Sequence, residues 1–198
     1  MIKTLFTTLL LIPSLTFAAA KQVGLDTKNS SVKWTGSKAF ATGSHTGTIA
    51  VSGGHLMMDG DKITGGELAI DMTTIQNTDL TDAKMQTKLV GHLNSADFFD
   101  TANFKDAKFV VTKATAAKNG EYTLDGNMTI RGTTNPQTVK ATVKKDGKTW
   151  MASGKMQIDR TKYNVKYSSQ TAFPDLMKTG KDKIINDQFD IEFSVKTM

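Results

Sequence analysis

Apolar and polar residues alternate with a period of two along most of the chain. Phe189, Ile191, Phe193 and Val195 alternate with Asp190, Glu192, Ser194 and Lys196. Leu68, Ile70 and Met72 alternate with Glu67, Ala69 and Asp71, and Met128 and Ile130 with Asn127, Thr129 and Arg131. The same spacing joins Val139, Ala141 and Val143, and the pairs Val32/Trp34, Ile49/Val51, Leu56/Met58 and Phe109/Val111. Successive side chains of a strand point to opposite faces, so each run predicts an antiparallel strand with one apolar face. Turn formers separate the runs: Ser52-Gly53-Gly54, Asp59-Gly60-Asp61, Gly65-Gly66, Lys118-Asn119-Gly120 and Asp146-Gly147. A strand about every ten residues predicts a sandwich or an up-and-down barrel. No repeat, low-complexity tract or linker interrupts the pattern, so residues 21–198 read as one domain.

Two segments follow a different rule. Over residues 79–93, Met85, Leu89 and Leu93 recur at i+4, with Thr78 or Asp79 as candidate caps and Asp82 in the first turn. This predicts a helix inserted between strands and ending near Gly91–Asn94. Phe173-Pro174-Asp175-Leu176-Met177-Lys178 predicts a short helical turn before the last strand. The helix leads into His92-Leu-Asn-Ser-Ala-Asp-Phe-Phe-Asp100, where two adjacent phenylalanines fit neither period. An irregular backbone allows Phe98 and Phe99 both to turn inward, with Asp97 and Asp100 left to solvent or to local amides.

The first twenty residues have the composition of a secretory signal. Lys3 is the basic start, Leu5-Phe6, Leu9 to Ile12 and Leu15 form the apolar run, and Ala18-Ala19-Ala20 supply small residues for cleavage. The run is too short and too interrupted by threonine for an anchor. Cysteine is absent, so neither acylation nor a disulfide is available. Residues 1–20 are therefore expected to be cleaved and the remainder to act in a bacterial periplasm.

Of 198 residues, 25 are basic and 19 acidic, and only Arg131 and Arg160 are arginines. The lysines fall on outward positions, as in Val139 to Lys144, without the Arg and aromatic clustering of a nucleic-acid face. The weak positive charge leaves attraction to an anionic membrane surface open. Candidate chemistry is sparse. His45, His55 and His92 lack metal-ligand spacing, and no nucleophile elbow, phosphate loop or dinucleotide fingerprint occurs. No metal, no organic cofactor and no catalytic residue is expected.

Two polar residues have inward parity. Arg160 shares a face with Met156 and Ile158, and His45 with Ile49 and Val51. A charge inside a barrel must be paired. Arg160 therefore either bridges a carboxylate or main-chain carbonyls at a strand end, or meets a ligand head group. His45 is either a hydrogen-bonded rim residue or part of the same contact.

Seven segments in order resemble the YceI-like family, the lipid- or polyisoprenoid-binding domain: "SSVKWTGSK" (30–38), "HTGTI" (45–49), "GGELAIDMTTI" (65–75), "LVGHLNSADFFDTANFKDAKF" (89–109), "YTLDGNMTIRGTT" (122–134), "IDRTKYNV" (158–165) and "DKIINDQFDIEFSV" (182–195). Lys105 stands where members often carry proline after the phenylalanine matching Phe104. Tyr163-Asn164 replaces an aromatic-glycine pair. The resemblance implies an all-β, eight-stranded antiparallel, lipocalin-like barrel with one inserted helix. Its lumen would hold a polyisoprenoid, an isoprenoid quinone or a fatty acyl amide. The residues expected to line or close that lumen are Trp34, His45, Ile49, Met85, Leu89, Leu93, Phe98, Phe99, Phe104, Met156, Ile158, Arg160, Tyr163 and Phe173. The apolar inward set, rich in adaptable methionine, agrees with such a ligand, although methionine would serve a filled core equally well. A secreted enzyme acting on a lipid and an interaction protein partnering a membrane cytochrome are the other classes. The resemblance also implies a homodimer, as in some members.

Overall fold

In the computed structural model, residues 20–198 are described, so the signal reading of residues 1–19 lies outside them. Nine strands form one antiparallel sheet: β1 (Lys21–Gly24), β2 (Ser31–Ser37), β3 (Ser44–Asp59), β4 (Lys62–Asn77), β5 (Asp106–Ala116), β6 (Glu121–Ile130), β7 (Thr133–Asp146), β8 (Thr149–Asp159) and β9 (Gln188–Lys196). The order is β1-β3-β2-β9-β8-β7-β6-β5-β4, and pairing of β3 with β4 closes the ring. Strands β2 to β9 make the eight-stranded barrel. The short β1 continues the line of β2, pairing Lys21–Gly24 with the far half of β3 at Met58–His55.

Two predicted turns are corrected. Gly53-Gly54 and Gly65-Gly66 lie inside β3 and β4, each 16 residues long. Register shifts break the β3–β4 pairing between Val51 and Gly53 and between Met57 and Met58. Gly54 and Gly66 have φ of 139° and 155°, and a Cβ on Gly54 would stand 2.2 Å from the Glu67 carbonyl oxygen. The glycines thus bend a long coiled ribbon rather than end it. At Arg131-Gly132, φ is positive at both residues (48° and 68°), which gives the tight β6–β7 hairpin.

The inserted helix is α1 (Ala83–Asn94). It begins four residues later than the spacing predicts, because Asp82 is the cap and its carboxylate accepts from the amides of Lys84 and Met85. Asp79 instead ties the helix entry to β3. It accepts from the Thr46 amide at 2.8 Å, from Asn77 Nδ2 at 2.5 Å and pairs with His45 Nδ1 at 2.9 Å. The segment 160–187 holds a 3₁₀ turn at Arg160–Tyr163 and the short helix α2 (Leu176–Thr179). All long connections lie at the end where β2, β4, β6 and β8 finish, here called the upper end. The lower end carries only short turns.

The core follows the alternation. Val32, Trp34, Ile49, Met128, Ile130, Val139, Ala141, Val143, Phe193 and Val195 are buried. Aromatic rings cover bare backbone: Trp34 faces Gly47 and Phe193 faces Gly154 across their strand pairs, where a Cβ would meet the rings at 2.6 and 2.8 Å.

Candidate functional site

The barrel is not filled evenly. Toward the lower end, Met58, Ile63, Tyr122, Leu124, Val143 and Ala152 are buried in the core. Toward the upper end a cavity of about 140 Å³ remains, lined almost wholly by apolar atoms. Its walls include Val32, Trp34, Gly36 and Ile49 from β2 and β3, Leu68, Ile70, Met72 and Ile75 from β4, and Ala107, Phe109, Met128 and Ile130 from β5 and β6. Met156, Ile158, Phe189, Ile191 and Phe193 complete it. Leu93, Phe98 and Phe99 roof one side, and Arg160, Ile185 and Asn186 the other.

The roof owes its shape to the irregular stretch after α1. The Phe98 amide donates to the Ser95 carbonyl and the Phe99 amide to Leu93, so successive side chains do not alternate. Asp100 takes a left-handed φ of 50° and binds Asn103, while Asp97 is solvent-exposed. Phe98 is buried and Phe99 half-buried, and both face the cavity. Phe98 meets His92 and Tyr167 at centroid distances of 5.0 and 5.7 Å. Beyond Tyr167 lies an open surface groove between residues 96–97, Arg131, Asn164–Ser168 and Ala172–Thr179. The wall between groove and cavity is thus a layer of aromatic side chains.

Arg160 is 3 % exposed. Its Nε donates to the Asn186 carbonyl at 2.9 Å, Nη1 to the carbonyls of Val165 (3.0 Å) and Tyr167 (2.8 Å), and Nη2 to Ile185 (2.9 Å) and the Asp187 carboxylate (3.5 Å). All five N–H donors of the guanidinium are therefore used. Burial works against the charged form and lowers the Arg160 pKa, while Asp187 and Asp159 oppose that. Burial would raise the Asp187 carboxyl, but hydrogen bonds from Ser169 and Thr171, together with Arg160, hold it below the usual carboxylate value. Of the two roles open from sequence, Arg160 fills the structural one. It fastens the start of the 160–187 segment to its end, 25–27 residues on.

The other predicted residues divide. Trp34, Ile49, Leu93, Met156 and Ile158 line the cavity with Phe98, Phe99 and Arg160. His45, Met85, Leu89, Phe104, Tyr163 and Phe173 do not. His45 has inward parity and pairs with Gly36 at the barrel mouth, but its side chain is exposed and bonded to Asp79. Along α1, Met85 is 53 % exposed, Leu89 half-buried and Leu93 buried, so the apolar face closes on the core toward the helix C-terminus. Phe104 packs on Gly132 of the β6–β7 turn. Tyr163 is buried in the 160–187 segment, where burial raises its phenol pKa, and Phe173 faces the outer groove. The cavity residues absent from that expectation, such as Ile70, Met72 and Ile191, carry the inward parity of their strands. Parity alone does not tell a cavity wall from a filled core. Arg131, read as outward, binds the carbonyls of Asn164 and Ala96 at 2.6 and 2.7 Å and so joins both halves of the roof. Among the described residues no group of three histidine or acidic side chains is placed to hold a metal.

A family model described as the YceI-like domain matches residues 24–197. A UPF0312 protein of Shewanella denitrificans is 33% identical over 88 residues, 44% of each chain. Another, from Pseudomonas fluorescens, is 48% identical over 59 residues, 29% of this chain and 30% of that one. These matches span less than half of either relative. Among solved structures, Burkholderia cenocepacia BcnA superposes with a TM-score of 0.69 at 24% identity, covering 88% of this chain and 99% of that one. A polyisoprenoid binding domain from Saccharophagus degradans gives 0.65 at 14% identity, covering 90% and 98%. Both likenesses are of fold.

Proposed function

This chain belongs to the YceI-like family, and we propose that it is a non-catalytic carrier whose barrel lumen holds a long apolar chain: a polyisoprenoid, an isoprenoid quinone or a fatty acyl amide. The observation that carries this reading is the unfilled apolar cavity beneath the roof. A protein whose barrel served only as scaffold, such as a partner of a membrane cytochrome, would fill that space, since interiors normally pack without voids of this size. The Saccharophagus domain named for polyisoprenoid binding shares the fold and supports the same direction.

The cavity also bounds the cargo. Its 140 Å³ is close to the ~150 Å³ of an engineered apolar cavity that takes up benzene. As it stands, the lumen seats about six carbons. At about 0.8 kcal/mol per methylene, six carbons give about 5 kcal/mol, near the lower limit of the cost of association. A held cargo therefore buries more chain, with Met72, Met128 and Met156 changing rotamer to lengthen the lumen. The lower end is packed, so the chain enters through the roof and its head group stays there. Residues 1–20 then act as a cleaved signal, and the carrier works in the periplasm.

The test is extraction of the purified protein with organic solvent followed by mass spectrometry. One apolar chain per protein is expected. Absence of any stoichiometric lipid, together with failure to take up added prenyl chains, quinone or fatty acyl amide, overturns the reading.

A further inference from the structure

We propose that the upper end of the barrel is a docking face for an anionic lipid bilayer. This rests on the carrier reading in one respect: it supplies the place where a membrane-derived cargo would pass into the roof.

The two ends of the barrel differ in extent and in their exposed aromatics, and the larger upper end gathers more positive charge in total. The upper connections, residues 38–43, 78–105, 131–132 and 160–187, carry eleven Lys and Arg against seven Asp. Arg160 and Asp187 are paired in the interior and cancel each other. The lower connections, residues 25–30, 60–61, 117–120 and 147–148, carry three lysines against two aspartates and no aromatic residue. Three exposed aromatics stand on the upper end: Phe40 at 43 % exposure, Tyr167 at 42 % and Phe173 at 51 %. Phe40 and the 181–183 turn form one surface. Lys181 Nζ lies 4.9 Å from the Phe40 ring centre, Lys38 Nζ donates to the Asp182 carbonyl, and the Ala39 amide donates to Ile184. Phe173 and Tyr167 border the outer groove with Lys166. Phe98 then joins Tyr167 to the cavity.

Exposed aromatic rings beside lysines suit the boundary between head groups and acyl chains, where the ring enters the apolar layer and the ammonium meets lipid phosphate. No helix among the described residues is long and apolar enough to cross a membrane, so the contact is peripheral. The bilayer's surface charge is the complement of this end, and the cavity roof faces the same way. Cargo would then pass between bilayer and lumen without crossing water.

The test is flotation of the purified protein with vesicles of phosphatidylcholine alone or mixed in equal parts with phosphatidylglycerol. The proposal expects binding to the mixed vesicles only, weakening as salt rises. Each lysine near the surface is worth about a fivefold change. The triple variant Lys178→Gln, Lys181→Gln, Lys183→Gln should thus lose about a hundredfold. The variant Phe40→Ser, Phe173→Ser should lose the binding that survives in salt. The matched lower-end variant Lys28→Gln, Lys118→Gln, Lys148→Gln removes the same charge and should bind as the unaltered protein does. Equal loss in both lysine triples, or no vesicle binding, overturns the proposal. Capture by polyglutamate without vesicle binding also overturns it, in favour of an acidic protein partner. Solvent extraction of each variant separates the two readings: lipid in the lumen without vesicle binding defeats docking alone, and upper-end docking with an empty lumen defeats the carrier alone.

Discussion

Replacing Arg160 by alanine should loosen the whole roof without touching the barrel wall. The side chain makes four bonds to main-chain carbonyls and one to Asp187, joining residues 165 and 167 to residues 185, 186 and 187. Without it, several carbonyls in a water-poor site lose their donors and the Asp187 carboxylate loses its cation. Breaking a buried ion pair from one side costs about 3–5 kcal/mol, a large part of the 5–15 kcal/mol that holds a domain together. Lysine should recover little, because a single ammonium has three donors and no planar fork with which to span both ends of the segment. Urea unfolding followed by circular dichroism gives the free energy, and limited proteolysis shows whether residues 160–187 detach first. The expected result is a loss of about 3–5 kcal/mol, with cleavage between Lys162 and Lys183 while the barrel persists. A change under about 1 kcal/mol with lipid lost from an intact roof would show that Arg160 serves a head group, and the reasoning from its saturated donors would be wrong.

Three other outcomes are expected. Gly36 lines the cavity and has no atom within 4 Å of where a Cβ would stand, so Gly36→Leu should enter the lumen without displacing backbone. Extracted lipid should fall while the melting temperature is kept or raised; unchanged lipid would place the cargo elsewhere. Asp82→Ala should cost about 1 kcal/mol by removing the cap of α1, measured by urea unfolding, and no loss would mean that tertiary packing alone holds the helix. Acid should weaken the protein at two places. Burial raises the Asp79 carboxyl, but bonds from His45, Thr46 and Asn77 bring it below its ordinary value, and Asp187 is likewise lowered. Groups lowered on folding contribute stability that is whole above the unfolded value of about 3.9 and lost as pH falls through the folded value. Melting temperature should therefore drop below about pH 4, and less steeply in Asp187→Asn; an equal slope would remove Asp187 as a cause.

The barrel was legible because burial on one face of a closed sheet writes itself as period two. Where strands bend, that signal misleads. Gly53-Gly54 and Gly65-Gly66 look like turns from composition, since a residue that permits positive φ serves a bulge as well as a hairpin. The distinction depends on whether the partner strand continues, which is a long-range fact. Arg160 shows the converse. Its parity placed it inward, yet parity could not say what it would meet, because four of its five acceptors are main-chain carbonyls, up to 26 residues away, with no side-chain signature. His45 had the same parity and pairs with Gly36 at the mouth, yet its ring is exposed, because Asp79 at the helix entry holds it there. The phenylalanine pair was legible for the opposite reason: it broke the period in a polar stretch, and only a backbone bent by bonds such as Phe99 to Leu93 lets both rings face one cavity. The cavity left no trace in the alternation itself. Ile70, Met72 and Ile191 border empty space while Val139 and Val143 fill it, and the alternation is alike in both sets. The unfilled half of the lumen lies where the chain departs from regular strand, so the interruptions of the pattern, rather than the pattern, mark the site.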